Sequence, residues 1–258
     1  MGSEETIGLQ AAADELGVHY QTAYQWVRRG DLPARQVGRQ YIISVADLAA
    51  FRTAREAPTA PVSRTPRKGF ATALPRFFAA LLEGDEATAR RITADYAETG
   101  TSITDIIEGL FAPSLRDIGE GWHAGTVTVA TEHRASAIVE RLLAVNMPRK
   151  RGRPRGRAAV TTPTGEQHGL SATMAAAALK EAGWKVHHLG PDLPIAEIVE
   201  FTEINDIEIV VLSAASDKGR TTAAAMVTDL EQHGIVALTN AADMRLPDLV
   251  DAAEAARR

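Results

Sequence analysis

The 258-residue chain has no cysteine, which excludes disulfides, thiolate metal sites, cysteine nucleophiles and thioether-linked chromophores. Any pigment it carries must be held without a bond to sulfur. No apolar run approaches the ~20 residues needed to cross a bilayer, and the first residues lack the charged-then-apolar order of a signal peptide. The expectation is a cytoplasmic protein with no membrane partner. A net positive charge is also missing: the formal charge of −5 argues against a protein that coats nucleic acid indiscriminately. The charge is nevertheless segregated. Basic residues gather in the first 68 positions and again between Arg149 and Arg157. A local basic face on an acidic body fits a specific DNA-binder with a separate regulatory part. With 45% hydrophobic and 24% charged residues the composition is that of a globular protein, long enough for two or three small domains.

The first unit spans residues 1–56. Leu9 to Leu16 has an Ala-rich helical pattern that Gly17 breaks, and helical period resumes from His19 to Arg29 with Ala23, Trp26 and Val27 turned to a core. Pro33 ends that pattern, residues 36–43 predict a hairpin turning at Gly38, and Ser44 is placed to cap a last helix. Residues 57–69, with Pro58, Pro61 and Pro66, form a linker. Residues 70–147 predict amphipathic helices at Phe70–Leu82, Glu86–Thr99, Ser102–Glu120 and Val129–Val145, joined by short connections, which makes an antiparallel bundle. Residues 148–157 are a second, basic linker. From 158 to 258 strand-length apolar runs at Ala158–Thr162, Lys185–Leu189, Ile207–Leu212 and Ile235–Leu238 alternate with helical segments. Such alternation predicts a parallel sheet covered on both faces, with ligands at Thr162–Ser171, Leu189–Leu193, Ser213–Gly219 and Thr239–Asp243 beyond the strand ends. The expected fold is therefore an α+β winged helix-turn-helix, an all-α four-helix bundle and an α/β Rossmann-like sheet.

Three sets of residues carry chemistry. In the first unit Tyr20, Gln21, Thr22, Gln25, Arg28 and Arg29 fall on the outer surface of the second helix, where Gln and Arg can reach base edges in a major groove, and Arg39 lies at the hairpin turn, within reach of phosphate. The alternative is a solvated polar face on a small protein-binding domain. The second set is Glu166-Gln167-His168-Gly169-Leu170-Ser171, an acid and a histidine at a strand-to-helix turn. The third is Trp122 with Glu132 and His133 ten and eleven positions later, in the bundle. Taken alone, the second set is an ordinary surface pair and the third a core aromatic beside a solvated helix start.

In that order along the chain, the three sets resemble the light-responsive, cobalamin-dependent repressors of the CarH/LitR type, and the resemblance covers nearly the whole chain. The first unit is similar to excisionase and MerR-type winged helix-turn-helix domains. The resemblance implies that adenosylcobalamin lies between bundle and Rossmann-like domain. His168 would be the lower axial cobalt ligand, oriented by Glu166, with Gly169, Ser171 and Ser213 in the lower pocket. Trp122 would cover the adenosyl group, Glu132 would accept from ribose hydroxyls, and His133 would take the upper cobalt position after photolysis. It further implies a double-stranded DNA operator, a light-dependent homo-oligomer and no catalytic turnover. Ser171 stands where the family has a closing glycine, and Thr239-Asn240-Ala241-Ala242-Asp243 replaces its Gly-Gly turn, so the pocket for the nucleotide tail is altered. Those departures leave room for a photocobilin-like sensor binding biliverdin with or instead of cobalamin. A corrinoid carrier for methyl transfer and a regulator whose pocket is vestigial and whose partner is another protein are the remaining alternatives. Arg149 to Arg157 resembles an AT-hook, which implies a minor-groove contact.

Overall fold

A computed structural model describes residues 6–18, 20–29, 32–38, 40–56, 69–148, 152–241 and 244–257, without the side chains at 21, 22, 25, 28, 29, 54–56 and 241. The chain divides into two compact units, residues 1–67 and 68–258.

The first unit contains β1 (Thr6–Gly8), α1 (Leu9–Glu15), α2 (Tyr20–Arg29), β2 (Arg35–Val37), β3 (Gln40–Ser44) and α3 (Val45–Glu56). Its sheet is antiparallel in the order β1-β3-β2. Strand β1 is too short to give a periodic signal in sequence; pairing with β3 defines it, Thr6 opposite Ser44. Leu9, Ala12, Ala13, Ala23, Leu32, Ile43 and Leu48 form the core, and the small alanines let α1 and α2 approach closely. Gly38 turns the β2–β3 hairpin with φ +62°, a conformation that costs glycine little. Ser44 caps α3, accepting from Asp47 N at 3.0 Å and donating to its carboxylate at 2.8 Å.

The second unit opens with a 3-10 turn (Phe70–Thr72), α4 (Leu74–Glu83) and α5 (Glu86–Glu98). Helix α6 (Ile103–Ile106) runs through a π segment (Ile107–Phe111) into α7 (Ala112–His123), and α8 (Val129–Asn146) completes a four-helix bundle. The π segment has a local cause. Pro113 lacks an N–H, and its ring would collide with the carbonyl of residue 109 in a regular helix, so the turn widens. Gly109 lies in that turn, and a Cβ there would come within 2.2 Å of the Phe70 ring, which itself stacks on Tyr96.

The sheet follows: β4 (Arg157–Thr161), α9 (Leu170–Ala182), β5 (Lys185–His188), α10 (Ile195–Asn205), β6 (Ile209–Ala214), α11 (Asp217–Gln232), β7 (Ala237–Ala241) and α12 (Leu246–Ala256). It is fully parallel in the order β5-β4-β6-β7. Alternation assigns the faces: Ala158, Val160, Ile209 and Val211 pack with α9, α12 and the bundle, while Ala159, Val210 and Leu212 pack against α10 and α11. Because β5 and β6 flank β4 on opposite sides, the chain reverses direction at β4, and the loop after β4 borders the crevice where doubly wound sheets bind ligands.

Bundle and sheet share one core, and two carboxylates tie them, each at the start of a helix in the other module. Glu181 of α9 accepts from Ile103 N (2.9 Å), Thr104 N (3.0 Å) and Thr104 Oγ1 (2.6 Å) at the start of α6. Glu108 of the bundle accepts from Leu246 N at 2.8 Å at the start of α12. A negative charge at a helix N-terminus meets unpaired N–H groups and the positive end of the helix dipole.

The sequence places Thr239 and Asn240 in a loop, but they are β7 residues in register with Leu212 and Ser213. Likewise Ser213 and Ala214 end β6, and Asp217 to Gly219 begin α11. Polar side chains at strand ends read as loop because the strand periodicity stops with the last apolar residue. In the basic run, residues 149–151 lie outside the described residues. Arg157 is in β4 and pairs with Asp206 at 2.6 Å, and Arg155 pairs with Glu254. Two arginines of the AT-hook-like run are thus committed to the protein's own acids.

Candidate cobalamin site

Glu166 and His168 lie in the loop after β4. The glutamate side chain is only 1% exposed and the imidazole 67%. Four donors reach the carboxylate. Oε1 accepts from His168 N (3.0 Å) and lies 2.6 Å from His168 Nδ1; Oε2 accepts from Ser216 N (3.0 Å) and Ser216 Oγ (2.7 Å). Ser216 is also the N-cap of α11, its Oγ accepting from Gly219 N at 3.0 Å, so the carboxylate stands at the start of that helix. Burial pushes the Glu166 carboxyl up, but the bonds from Ser216 and His168 outweigh it and hold the group at about 2. Glu166 is therefore ionised at neutral pH and can only accept. Nδ1 must then carry the hydrogen, which leaves the lone pair of a neutral imidazole on Nε2, the outward nitrogen.

The loop is clamped from a second side. Asp192, in the left-handed region at φ 60°, accepts from Gly165 N (2.7 Å) and Gln167 Nε2 (2.6 Å). Its own N–H donates to Thr162 Oγ1, which in turn donates to Glu166 O. Thr161 and Thr164 tie the same loop to Gly190 O and Leu193 O. Asp192, Ser216 and Gly219 fall within two of the segments that the sequence offers as ligand-binding, but their bonds and close approach to the β4 loop carry no local signal, because that loop lies far from them along the chain. Gly219 is required: a Cβ there would sit 2.5 Å from Glu166 Oε2.

Of the remaining lower-pocket residues, Gly169 precedes α9 and Ser171 is in its first turn, its Oγ buried without a partner. Ser213 is buried at the end of β6 and accepts from Asn240 Nδ2 at 2.9 Å. Trp122, Glu132 and His133 share one end of the bundle, at the close of α7 and the first turns of α8. Trp122 is 41% exposed, and His123, which the sequence reading omits, lies against its ring at 4.7 Å between centroids. Glu132 accepts from Ser136 Oγ at 2.9 Å and lies 3.5 Å from His133 Nε2. No described contact joins this trio to His168.

Among the described residues no group of three or more His, Asp or Glu could hold a free metal ion. A single oriented imidazole instead suits a metal already chelated by its own macrocycle, with one axial position to fill. The residues present thus fit a corrinoid.

In the first unit, α2 carries Tyr20, Gln21, Thr22, Gln25, Arg28 and Arg29. Tyr20 is exposed and stacks on Tyr24, whose ring meets Tyr41 of β3 edge-on, so the hairpin braces the helix. Arg39 and the side chains of Gln21, Thr22, Gln25, Arg28 and Arg29 lie outside the described residues.

A helix-turn-helix domain model matches residues 7–56, and two models, each of a B12 binding domain, match residues 74–145 and 156–239. Those segments define a DNA-binding module carried on a two-part B12 binding unit. Their order is that of a CarH-type cobalamin-binding transcriptional regulator, and the chain is similar to such proteins. It is 27% identical over 214 residues to the HTH-type transcriptional repressor CarA of Myxococcus xanthus, covering 75% of this chain and 71% of that protein. To CarH of the same organism it is 36% identical over 90 residues, 34% of this chain and 30% of CarH. Trimethylamine corrinoid protein 1 of Methanosarcina mazei is 26% identical over 141 residues, 52% of this chain and 65% of that protein. The fold of the Methanosarcina barkeri monomethylamine corrinoid protein matches with a TM-score of 0.60 at 14% identity, over 71% of this chain and 97% of that one. No described helix is long and apolar enough to cross a membrane.

Proposed function

We propose that the chain is a light-responsive repressor that binds adenosylcobalamin between the bundle and the sheet. The observation that carries the reading is the buried, ionised Glu166 fixing His168 with Nε2 free at the crevice beside β4. When bound, adenosylcobalamin supplies a cobalt–carbon bond that visible light breaks. His168 would be the lower ligand, and Glu166 would set its tautomer and raise its basicity. Trp122 offers a flat apolar surface, Glu132 an acceptor for hydroxyls and His133 an exposed imidazole, all at one end of the bundle. The loaded protein would self-associate in the dark and hold operator DNA through α2, and light would reverse both. Since a ligand shifts an equilibrium only by its differential affinity for two states, no catalytic turnover is needed. The helix-turn-helix domain at residues 7–56 favours a regulator over a corrinoid carrier.

The test is the visible spectrum of the protein with hydroxocobalamin. Wild type is expected to retain the pigment through gel filtration with the spectrum of imidazole-ligated cobalt, and His168→Ala to lose that signature and most retention. Identical spectra and retention in both would remove His168 from the site. Incubation with biliverdin under the same conditions tests the bilin alternative: a stable visible complex without cobalamin would favour it.

A further inference from the structure

Strand β7 is an edge of the sheet: its neighbour on one side is β6, and no described strand pairs with it on the other. Val210 N donates to Val236 O, so in this parallel ladder the peptide groups of residues 236, 238 and 240 turn to β6. Those of residues 237, 239 and 241 turn outward, a row of donors and acceptors about 17 Å long that another strand can fill. Such edges are ordinarily blunted by charge or proline. The opposite edge is blunted in this way, since β5 carries Lys185 and His188, both exposed. Residues 235–241, Ile-Val-Ala-Leu-Thr-Asn-Ala, contain neither charge nor proline. A large apolar side chain is exposed near each end of the strand, Val236 at 39% and Met244 at 36%.

We infer that β7 is an interface at which two copies of this chain pair antiparallel across a two-fold axis, joining their sheets. Three features favour a second copy over an unrelated peptide. A two-fold axis at Thr239 sets the start of one strand against the end of the other, so Val236 falls beside the partner's Met244. The same symmetry brings Glu231, in the last turn of α11, towards the partner's Arg245, which caps the start of α12; both are exposed and of opposite sign. The strand itself is uncharged, so self-pairing opposes no like charges. This pairing needs neither cobalamin nor light, and it goes beyond the proposed regulator function.

The test is sedimentation equilibrium of the full chain without ligand. Wild type is expected at twice the chain mass of 27.6 kDa. Val236→Lys, which sets a charge at the edge, should raise the dimer dissociation constant about tenfold or more, with far-UV circular dichroism and melting temperature as in wild type. Thr239→Pro removes an outward N–H while leaving the β6 ladder intact, and should do the same. Glu231→Arg alone brings like charges together and should weaken pairing several-fold; Glu231→Arg/Arg245→Glu should restore it. A monomeric wild type would overturn the inference and leave the edge to a strand from another protein. Val236→Lys and Thr239→Pro proteins as dimeric as wild type would also overturn it, by placing the contact elsewhere on the chain. A charge swap that fails to restore pairing would overturn the two-fold register. Because no corrinoid is present, each outcome is independent of the cobalamin test.

Discussion

A carboxylate buried beside an imidazole is unfavourable unless its lone pairs are satisfied, and Glu166 meets that condition with donors from two loops. The glycine that makes room for it is the most sensitive neighbouring position. Gly219→Ala would drive a methyl into Glu166 Oε2, displace the carboxylate and release the His168 ring. We predict roughly 10- to 100-fold weaker cobalamin binding, the range for loss of an outer-shell partner, with far-UV circular dichroism unchanged; wild-type affinity would show that Glu166 does not orient the ligand. A second prediction concerns His187 of β5, whose ring packs edge-on against Phe201. Burial, with Lys185 and Arg157 near, holds its imidazole below the ordinary 6.5. The unfolded chain then takes up a proton near 6.5 that the folded chain resists, so the stability linked to His187 is complete above that pH and is lost as pH falls below it. His187→Phe should flatten the decline of melting temperature between pH 7 and 5; an unchanged slope would contradict this. The Glu-x-His pair was legible in the sequence as an acid and a histidine after a strand. Ser216 and Gly219 were legible only as members of a candidate binding segment; their contacts with Glu166 were not, because only the parallel sheet brings the start of α11 beside the β4 loop.

At the scale of elements, helix ends do much of the positioning, and short-range caps were legible where long-range ones were not. Ser44 was readable because it bonds a backbone N–H three residues on, the pattern that Asp85 and Ser102 repeat at the starts of α5 and α6. Glu181 and Glu108 cap helices 77 and 138 residues away, a separation no local pattern reports. We expect Glu181→Ala to destabilise the second unit by about 1–2 kcal/mol, read as a lower urea midpoint at constant slope, and Glu181→Gln, which keeps one acceptor, to cost less. Equal midpoints for all three proteins would show that the cap carries no net stability. In the first unit, Arg28 and Arg29 occupy the last turn of α2. Their joint replacement by Ala should weaken DNA binding, each lost contact being worth on the order of 1–3 kcal/mol. Unchanged mobility shifts would remove α2 as the recognition helix.

For the whole molecule, the order of modules was legible because each has its own period, and the sharing of one core by bundle and sheet was not. The amphipathic helices of 70–147 predict a bundle that could close on itself, whereas Ile103, Ile106 and Leu142 pack in one cluster with Ala175, Leu179 and Leu249. A change at the bundle's Trp122 end is therefore expected to strain a common core and alter assembly, since packed interfaces switch between discrete arrangements. On this account Trp122→Ala still binds cobalamin through His168 but assembles poorly in the dark. The most direct measurement is light scattering coupled to size exclusion on wild-type protein loaded with adenosylcobalamin, run in darkness and after illumination. The account predicts a larger mass in the dark that falls on exposure to light; equal masses in the two runs would contradict it.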